Sequence, residues 1–330
     1  MRISKTLTRR AAVVALAASF VAAPAIGGAL AAEYPSGPVQ ILVAYGAGGG
    51  TDTLARLIAP ALSEALGKPV TVQNLPGGGG QVAAATALRD GGDGLAILAT
   101  NQPDLSLSTI LAKPPYKNED FEVIVADILD PRILLVKKES DMQNFDDFVS
   151  RAKAQPGKLA VSITQGGAQE LFAKWLFGKL GLDVRLVGYN GGAAAANAMI
   201  AGDVVATVGD DSARMNIRDK SKALLLGAGT PSPRWPEAAT MPDALKKYDV
   251  TPPSPTFLAR YGVYVVPASF KQKDPEGYKK LQQALIEARK SKEFEAFVEK
   301  NKLQDLSIGK PGEDLASYFS ADTAEIQKMK

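Results

Sequence analysis

An α/β fold with a parallel sheet is the fold class that this sequence predicts, on two observations. The first is a strand, turn and helix in succession: an apolar run at 39–45, glycines up to residue 50, and an amphipathic helix that opens at Thr51. The second is an immediate repeat, with a short strand at 70–73, a second glycine-rich turn and a small-residue helix at 82–88. Strands that alternate with helices in this way are typical of parallel α/β sheets.

Both glycine-rich turns favour binding of an anion. Where a strand passes through glycines into a helix, unpaired backbone N–H groups and the positive end of the helix dipole point at one place. Glycine also lets a ligand approach the backbone, since it has no Cβ. Two such turns in tandem indicate a ligand with carboxylate or phosphate groups. The candidate ligand-binding residues here are Tyr45, Ala47, Gly48, Gly49, Gly50, Thr51 and Asp52 in the first turn, and Gly77, Gly78, Gly79 and Gln81 in the second.

A second α/β series begins near residue 159 and supplies further candidates. Its polar residues stand at the predicted carboxyl ends of strands, where open α/β sheets bind ligands. Thr164 and Gln165 offer neutral donors to a distal carboxylate or amide, whereas Asp210 would repel an acid and hold an amino group. The candidates in this half are Thr164, Gln165, Gly166, Tyr189, Asn190 and Asp210.

Several candidates have a structural alternative. Asp52 either orients ligand water or caps its helix, which is a common use of aspartate at a helix start. Tyr45 either lies along the ligand or packs in the core. Arg56, one turn into the helix, is expected to pair with an acidic neighbour. No Lys-Ser or Lys-Thr pair follows the first turn, so it is not a nucleotide-binding P-loop.

Periodicity predicts the remaining elements. Segments 101–120 and 230–255 are rich in proline and are expected to be mostly irregular. Regular structure is predicted as strands at 121–128, 132–136, 159–163, 184–187, 204–208, 224–228 and 261–266, helices at 144–154, 169–180 and 193–200, and a helical region from residue 274 that ends in an amphipathic helix with Leu315, Tyr318 and Phe319.

The first 31 residues are predicted to be an export signal. A basic start with Arg9 and Arg10 precedes an apolar stretch at 11–23 and an A-x-A cleavage site at 29–31. The apolar stretch is too short to span a bilayer. The sequence leaves open whether a Sec or a twin-arginine route is used. With no cysteine to carry a lipid, the mature protein is expected to be soluble in the compartment to which it is exported.

Composition excludes several classes of function. The chain has neither histidine nor cysteine, which rules out Ser-His-Asp and Cys-His catalysis, disulfides and histidine-based metal sites. Its net charge of +3 comes from the signal segment, so the mature chain is close to neutral and nucleic acid is not an expected partner. A hydrolase or lyase built on paired carboxylates lacks a convincing acid pair. The composition leaves an all-oxygen calcium or magnesium site open, but no D-x-[DN]-x-[DN]-G loop is present. We expect no enzyme, no metal and no cofactor.

Two motifs connect the chain with a known family. Segment 44–52 reads AYGAGGGTD and is followed by Arg56, and segment 73–80 reads QNLPGGGG. With weaker matches at 93–94, 189–191 and 202–203, the chain resembles the periplasmic solute-binding proteins of tripartite tricarboxylate transporters, the Bug family, along essentially its whole mature length.

The sequence also departs from the family pattern. Ala44 and Tyr45 replace the usual proline and phenylalanine of the first loop. In the second half, Thr164 stands at the first glycine of the common G-x-G-S-x-x-H pattern, and Glu170 stands at its histidine. The departures at Thr164 and Glu170 affect the positions that contact ligand in the second lobe of the family.

The resemblance implies a two-lobed, type II-like periplasmic-binding-protein fold with two crossover strands and the ligand in the interlobe cleft. The crossings are expected near 134–138 and 257–262, and the lobes are expected to close by a hinge motion. The implied division is a signal at 1–31, a first lobe at 32–136 plus 259–330, and a second lobe at 137–258.

The resemblance implies a function as well. The protein is expected to be a monomer that captures a small carboxylate in the periplasm, either a di- or tricarboxylate, an aromatic acid or an acidic amino acid. Membrane permease subunits of a tripartite transporter are the implied partners. A ligand-presenting sensor subunit for a membrane receptor is the alternative.

Overall fold

Two mixed sheets that share one long strand form the framework of the molecule. The computed structural model describes residues 33–111, 113–252, 257–317, 319–320 and 323–324, so the predicted export signal lies outside the described residues. The strands are β1 (Val39–Val43), β2 (Val70–Asn74), β3 (Ala96–Gln102), β4 (Phe121–Lys137), β5 (Ala160–Thr164), β6 (Arg185–Tyr189), β7 (Ala206–Asp210), β8 (Ser221–Leu226), β9 (Ala239–Thr240), β10 (Ala259–Pro267) and β11 (Ser307–Pro311).

Helices cover the faces of both sheets. Within the described residues, no helix is both long enough and apolar enough to cross a bilayer. The helices are α1 (Gly50–Leu66), α2 (Gln81–Asp90), α3 (Asp104–Leu111), α4 (Phe145–Ala154), α5 (Ala168–Lys179), α6 (Gly192–Ala201), α7 (Met241–Lys246), α8 (Ala268–Lys273), α9 (Pro275–Ala288) and α10 (Lys292–Lys300).

The first sheet has the strand order β2-β1-β3-β10-β4, with β11 also paired to β4. Strands β1, β2 and β3 are parallel, as the repeated strand and helix pattern predicts. Strand β10 inserts antiparallel between β3 and β4. Helix α1 buries Leu54, Ile58 and Leu62 in the core of this sheet, and its 3.6-residue spacing keeps them on one face.

The second sheet is assembled on the far end of β4. Residues 132–137 of that strand pair with β7 on one side and β8 on the other, whereas residues 121–131 pair with β10 and β11 in the first sheet. Strands β5, β6 and β7 are parallel, so their carboxyl ends lie at the same edge. A single continuous strand therefore runs through both lobes, which we define as the elements around the first and the second sheet.

Some local predictions are wrong. Segment 101–120 contains helix α3, which begins directly after Pro103, and a mostly irregular segment was expected there. The two strands expected at 121–128 and 132–136 are one strand that continues through Pro131. Strand β11 was predicted as helix, and β9 and α7 lie in the segment expected to be irregular. Tyr318 of the last predicted helix lies outside the described residues.

A buried arginine ties the two lobes together behind the cleft. Arg234 follows β8, and its Nε and Nη2 atoms donate to Asp211 at 2.6 and 2.8 Å. Its Nη1 donates to Asp305 at 2.6 Å and to the carbonyl of Lys302, both of which precede β11. Burial acts to lower the pKa of Arg234, but the two carboxylates raise it above its ordinary value. One side chain thus connects the end of β7 with the first lobe.

Replacing Arg234 with leucine is expected to lower the free energy of unfolding by about 3–5 kcal/mol, because it leaves the carboxylate of Asp211 buried and unpaired. Denaturant titration of the purified variant measures this loss. Arg151→Leu is the control, since Arg151 pairs with an exposed Asp141 and its loss is expected to be under about 1 kcal/mol. Equal losses of stability in the two variants would contradict the proposed role of Arg234 in joining the lobes.

Candidate ligand-binding site

A small cavity lies between the two sheets, at the point where helices α1, α5 and α6 begin. Its volume is about 40 Å³. The helices follow the carboxyl ends of the parallel strands β1, β5 and β6, which is where open α/β sheets bind ligands. The residues that line it are Tyr45, Gly49, Gly50, Thr51, Asn101, Asp104, Thr164, Gly167, Gln169, Gly192, Asp210, Ala213, Arg214 and Arg260.

The start of α1 presents backbone donors to this cavity. Among the described residues, the N–H groups of Gly50 and Thr51 have no protein acceptor, as expected for the first turn of a helix. The Thr51 hydroxyl donates to Asn101 Oδ1 at 3.3 Å. Helix α1 is 17 residues long, so the positive end of its dipole adds to the local positive potential.

Three buried arginines and two buried aspartates lie beside these donors. Arg132 Nη1 lies 2.5 Å from Asp210 Oδ1. Arg260 bridges both acids, with Nη2 2.9 Å from Asp130 Oδ2 and Nε 3.0 Å from Asp210 Oδ2. Arg214, which is 1% exposed, is the third arginine. These five side chains thus include one more cation than anions, and a third buried carboxylate, Asp104, lines the same cavity.

Arg214 has no carboxylate within ion-pair distance among the described residues. Its Nε has no hydrogen-bond acceptor there, and its Nη2 reaches only the carbonyl of Val208, at 3.4 Å. Burial lowers the pKa of Arg214. For Arg260, burial acts in the same direction, but Asp130 and Asp210 raise the pKa above its ordinary value. Arg214 is therefore a buried cation without a direct ion pair, although the charges of Asp210 and Asp130 still act on it and oppose the effect of burial.

Two glycines make room for the Arg214 side chain. A Cβ on Gly209 would lie 2.4 Å from Arg214 Nε, and a Cβ on Gly192 would lie 2.8 Å from Nη1. Such distances are far inside normal contact, so any other residue at either position would displace the guanidinium. The end of β7 and the start of α6 thus hold this guanidinium at the cavity wall.

The two aspartates of the cluster are occupied by protein donors. Burial acts to raise the pKa of Asp210, but the charges of Arg132, Arg260 and Arg214 hold it below its ordinary value. Gln169 Nε2 also donates to Asp210 Oδ2 at 2.9 Å. Burial raises the pKa of Asp130 to about 6, against the charge of Arg260. An ionised Asp210 paired in this way neutralises arginines of the protein.

Asp52 caps the loop that precedes its helix. Its Oδ2 accepts from the Gly48 N–H at 2.8 Å, and its Oδ1 accepts from Asn74 at 2.9 Å. Arg56 lies 3.0 Å from the same carboxylate, which confirms the expected pairing with an acidic neighbour. Burial acts to raise the pKa of Asp52, but these bonds hold it below its ordinary value. The side chain stabilises the first glycine-rich turn.

The sequence-predicted residues divide between the cavity and its surroundings. Tyr45, Gly49, Gly50, Thr51, Thr164 and Asp210 line the cavity. A separate groove of about 490 Å³ at the cleft mouth is lined by Gly78, Gly79, Gln81, Gln165 and Gly166. The structure places Ala47 on the surface, Gly48 in a recess that Gly50 also lines, Gly77 at the turn before α2, and Tyr189 and Asn190 at the end of β6.

The turns of the two lobes meet around the cavity. The Gly46 N–H donates to the Asn190 carbonyl at 3.3 Å across the cleft. A Cβ on Gly79 would lie 2.3 Å from the Gly166 carbonyl oxygen, and a Cβ on Gly50 would lie 2.7 Å from the Cβ of Ala213. The lobes therefore adopt a closed arrangement in which glycines form the contacts.

Apart from Asp210, sequence reasoning missed the charged residues of the cavity. Arg132 and Arg260 each stand beside apolar residues in segments that form buried strands, and this mismatch was a usable signal. Arg214 lies in a polar stretch, where nothing in the sequence marks it. Asp104 and Asn101 lie in or beside the segment expected to be irregular. No group of three or more acidic residues that could hold a metal is found within the described ranges.

Comparisons with known proteins identify a matching family and related sequences. The family described as tripartite tricarboxylate transporter family receptor matches residues 54–316. Protein BugT of Bordetella pertussis is 28% identical over 242 residues, which span 71% of this chain and 73% of that protein. A UPF0065 protein of Agrobacterium vitis is 32% identical over 178 residues, which span 52% of this chain and 50% of that protein.

Solved structures share the fold. MatC from Rhodopseudomonas palustris with bound malate aligns with a TM-score of 0.76 at 21% identity, over 90% of this chain and 99% of that one. The periplasmic binding protein BugD aligns with a TM-score of 0.77 at 21% identity, over 90% and 97%. These neighbours confirm the expected periplasmic-binding-protein fold. With the family match over well more than half of its residues, the chain belongs to the tripartite tricarboxylate transporter receptor family, the Bug-type solute-binding proteins.

Proposed function

We propose that this protein captures a small organic acid by its carboxylate and delivers it to the membrane permease subunits of a tripartite transporter. One observation carries the proposal: Arg214 is buried at the wall of the interlobe cavity and has no carboxylate partner within the described part of the chain. A buried guanidinium requires a counter-charge, and a ligand carboxylate supplies it with matching planar geometry.

In the proposed complex, the carboxylate lies between the start of α1 and the arginine cluster. The N–H groups of Gly50 and Thr51 donate to it, and Arg214 faces it from the second lobe. Each charge-assisted hydrogen bond contributes roughly 1.5–3 kcal/mol. Tyr45, Gly49, Thr164 and Asp210 form the surrounding walls, Asp210 by holding the arginines in place rather than by touching the acid.

The remaining predicted residues are proposed to close the site. Contacts between Gly79 and Gly166 and between Gly46 and Asn190 support this role, since they join the lobes at the cleft mouth. A ligand that draws the lobes together would be shielded from water by these turns, which strengthens its ionic contacts. The residues in this closing role are Ala47, Gly48, Asp52, Gly77, Gly78, Gly79, Gln81, Gln165, Gly166, Tyr189 and Asn190.

Relatives support the class of ligand and the place of action. MatC is described with bound malate and a second R. palustris protein, Rpa4515, with adipate, so this fold accommodates carboxylates. BugD is described as a periplasmic binding protein. Together with the export signal predicted at 1–31, this supports the proposal that the protein acts in the periplasm. Binding without covalent chemistry is the proposed mode of action.

Isothermal titration calorimetry of the mature chain, unfolded and refolded to remove bound solute, tests the proposal. The probes are short mono- and dicarboxylic acids, each paired with its amide. We expect at least one acid to bind and its amide to bind at least about 100-fold more weakly, since a neutral amide leaves Arg214 without a counter-charge. Equal affinity for acid and amide, or no binding by any acid, would contradict the proposal.

A further inference from the structure

A carboxylate from the first lobe covers the start of helix α5 in the second lobe. Asp104, the first residue of α3, accepts a hydrogen bond from the N–H of Ala168, the first residue of α5. Its other oxygen accepts from the Tyr45 hydroxyl at 3.1 Å. Asp104 is buried and lines the cavity. One of the three helix starts around the cavity is therefore already bound to an acidic side chain of the protein.

The surroundings of Asp104 are shaped to hold it there. A Cβ on Gly167 would lie 2.5 Å from Asp104 Oδ1, so glycine is needed at the residue before α5. Burial, and then the charge of Asp104, raise the pKa of Tyr45 well above its ordinary value, so its hydroxyl remains a donor. Both oxygens thus have a fixed donor, one from each lobe.

This arrangement limits what the far end of a ligand can carry. The cavity of about 40 Å³ has room for about three water-sized groups. A ligand bound through one carboxylate at the arginine cluster would bring a second carboxylate next to Asp104, at a helix start whose donor is already taken. Like charges brought together in a buried site cost several kcal/mol.

We infer that Asp104 is a specificity-determining residue that restricts the site to short acids with a single carboxylate, such as acetate, propionate or lactate. It does so by occupying the start of α5, where a second ligand carboxylate would otherwise bind. The inference rests on the proposed function, because it requires the ligand's one carboxylate to lie against Arg214.

The test compares propionate with malonate, which share a three-carbon chain and differ by the second carboxylate. Calorimetry of the wild-type chain is expected to give malonate a Kd at least about 100-fold higher than propionate. Asp104→Ala is expected to narrow that ratio by at least about 10-fold, through a gain in malonate affinity. Asp104→Asn keeps the shape and an acceptor for Ala168 but loses the charge, so it should narrow the ratio even if the alanine variant does not fold.

Asp219→Ala is the matched control, since Asp219 is an exposed aspartate outside the cavity lining. The ratio of its dissociation constants for malonate and propionate should equal that of the wild type. Wild-type protein that binds malonate as tightly as propionate would overturn the inference. If Arg214→Met in that case abolishes binding of both acids, the proposed function stands and only the inference about Asp104 is lost. Absence of binding by every acid would refute both. Equal loss of affinity for the two acids in the Asp104 variants would show a purely structural role and overturn the inference.

Discussion

Replacement of Arg214 by methionine is expected to abolish carboxylate binding, with a loss of affinity of about 100-fold or more. The physical reason is that a buried guanidinium which faces an anionic ligand contributes several kcal/mol, and a thioether of similar length contributes no charge. Titration calorimetry with the acid that the wild type binds best measures the loss. Arg214→Lys should recover only part of the affinity, since an ammonium lacks the planar fork that matches a carboxylate.

Without ligand, the free energy of unfolding of the same variant is expected to exceed that of the wild type by about 1 kcal/mol or more. Arg132 and Arg260 would remain opposite Asp130 and Asp210, and a buried guanidinium without a direct ion pair would be replaced by an apolar side chain. Denaturant titration measures this gain. Arg185→Met is the control, because Arg185 is an exposed arginine of the same lobe. Unchanged binding in Arg214→Met would remove the basis of the proposed function.

Replacement of Gly50 by alanine is expected to weaken binding by about 10- to 100-fold, because it prevents full closure of the lobes. The added Cβ would lie 2.7 Å from the Cβ of Ala213 and 2.9 Å from Arg260 Nη2, and both neighbours are buried or backbone-anchored. Overpacking of this kind costs about 1–3 kcal/mol. Gly50 begins α1 and does not have a positive φ, so alanine is compatible with the helix. The contact with Ala213 arises only across the closed cleft, whereas Arg260 belongs to the same lobe as Gly50, so that contact is present in the open form as well.

Two measurements separate this effect from unfolding. Small-angle scattering should show contraction of the wild type when the acid is added and a smaller contraction of Gly50→Ala. Thermal unfolding without ligand measures separately the contact with Arg260, which lies within the first lobe. Gly178→Ala is the matched control, since Gly178 also lies in a helix and an added Cβ there meets nothing within 4 Å. A Gly50→Ala protein that binds and contracts like the wild type would argue against the closed cleft as the ligand-bound geometry.

Elements whose signals lie within a few residues were predicted well. The strand, turn and helix pattern at 39–66 appears as β1 and α1, and Asn144 caps α4 where the helix was expected to start. Helix α3 was missed because Pro103 suggested irregular structure, whereas a proline just before a helix is compatible with its first turn. The insertion of β10 between β3 and β4 depends on residues far apart in the chain, and no local pattern encodes it.

The candidate site was predicted in part. The division between the residues that were predicted and those that were missed has a physical cause. Backbone donors at the start of α1 follow from glycines next to one another in sequence, so the turn could be identified with its residues. The second glycine-rich turn has the same local signature, but in the closed structure it contacts Gly166 and lines the outer groove instead of the cavity. Which of two similar turns faces a ligand depends on how the lobes meet.

The sequence by itself determined that this chain is an α/β protein with two glycine-rich helix starts and with neither histidine nor cysteine for catalysis, because these properties depend on composition and on neighbours along the chain. Only the tertiary structure decided which charges face the cleft. The three arginines of the cluster come from separate segments of the chain. They lie together because β4 is a strand of both sheets. An ionic balance of this kind is set by distances in space, so it has no counterpart in the linear pattern.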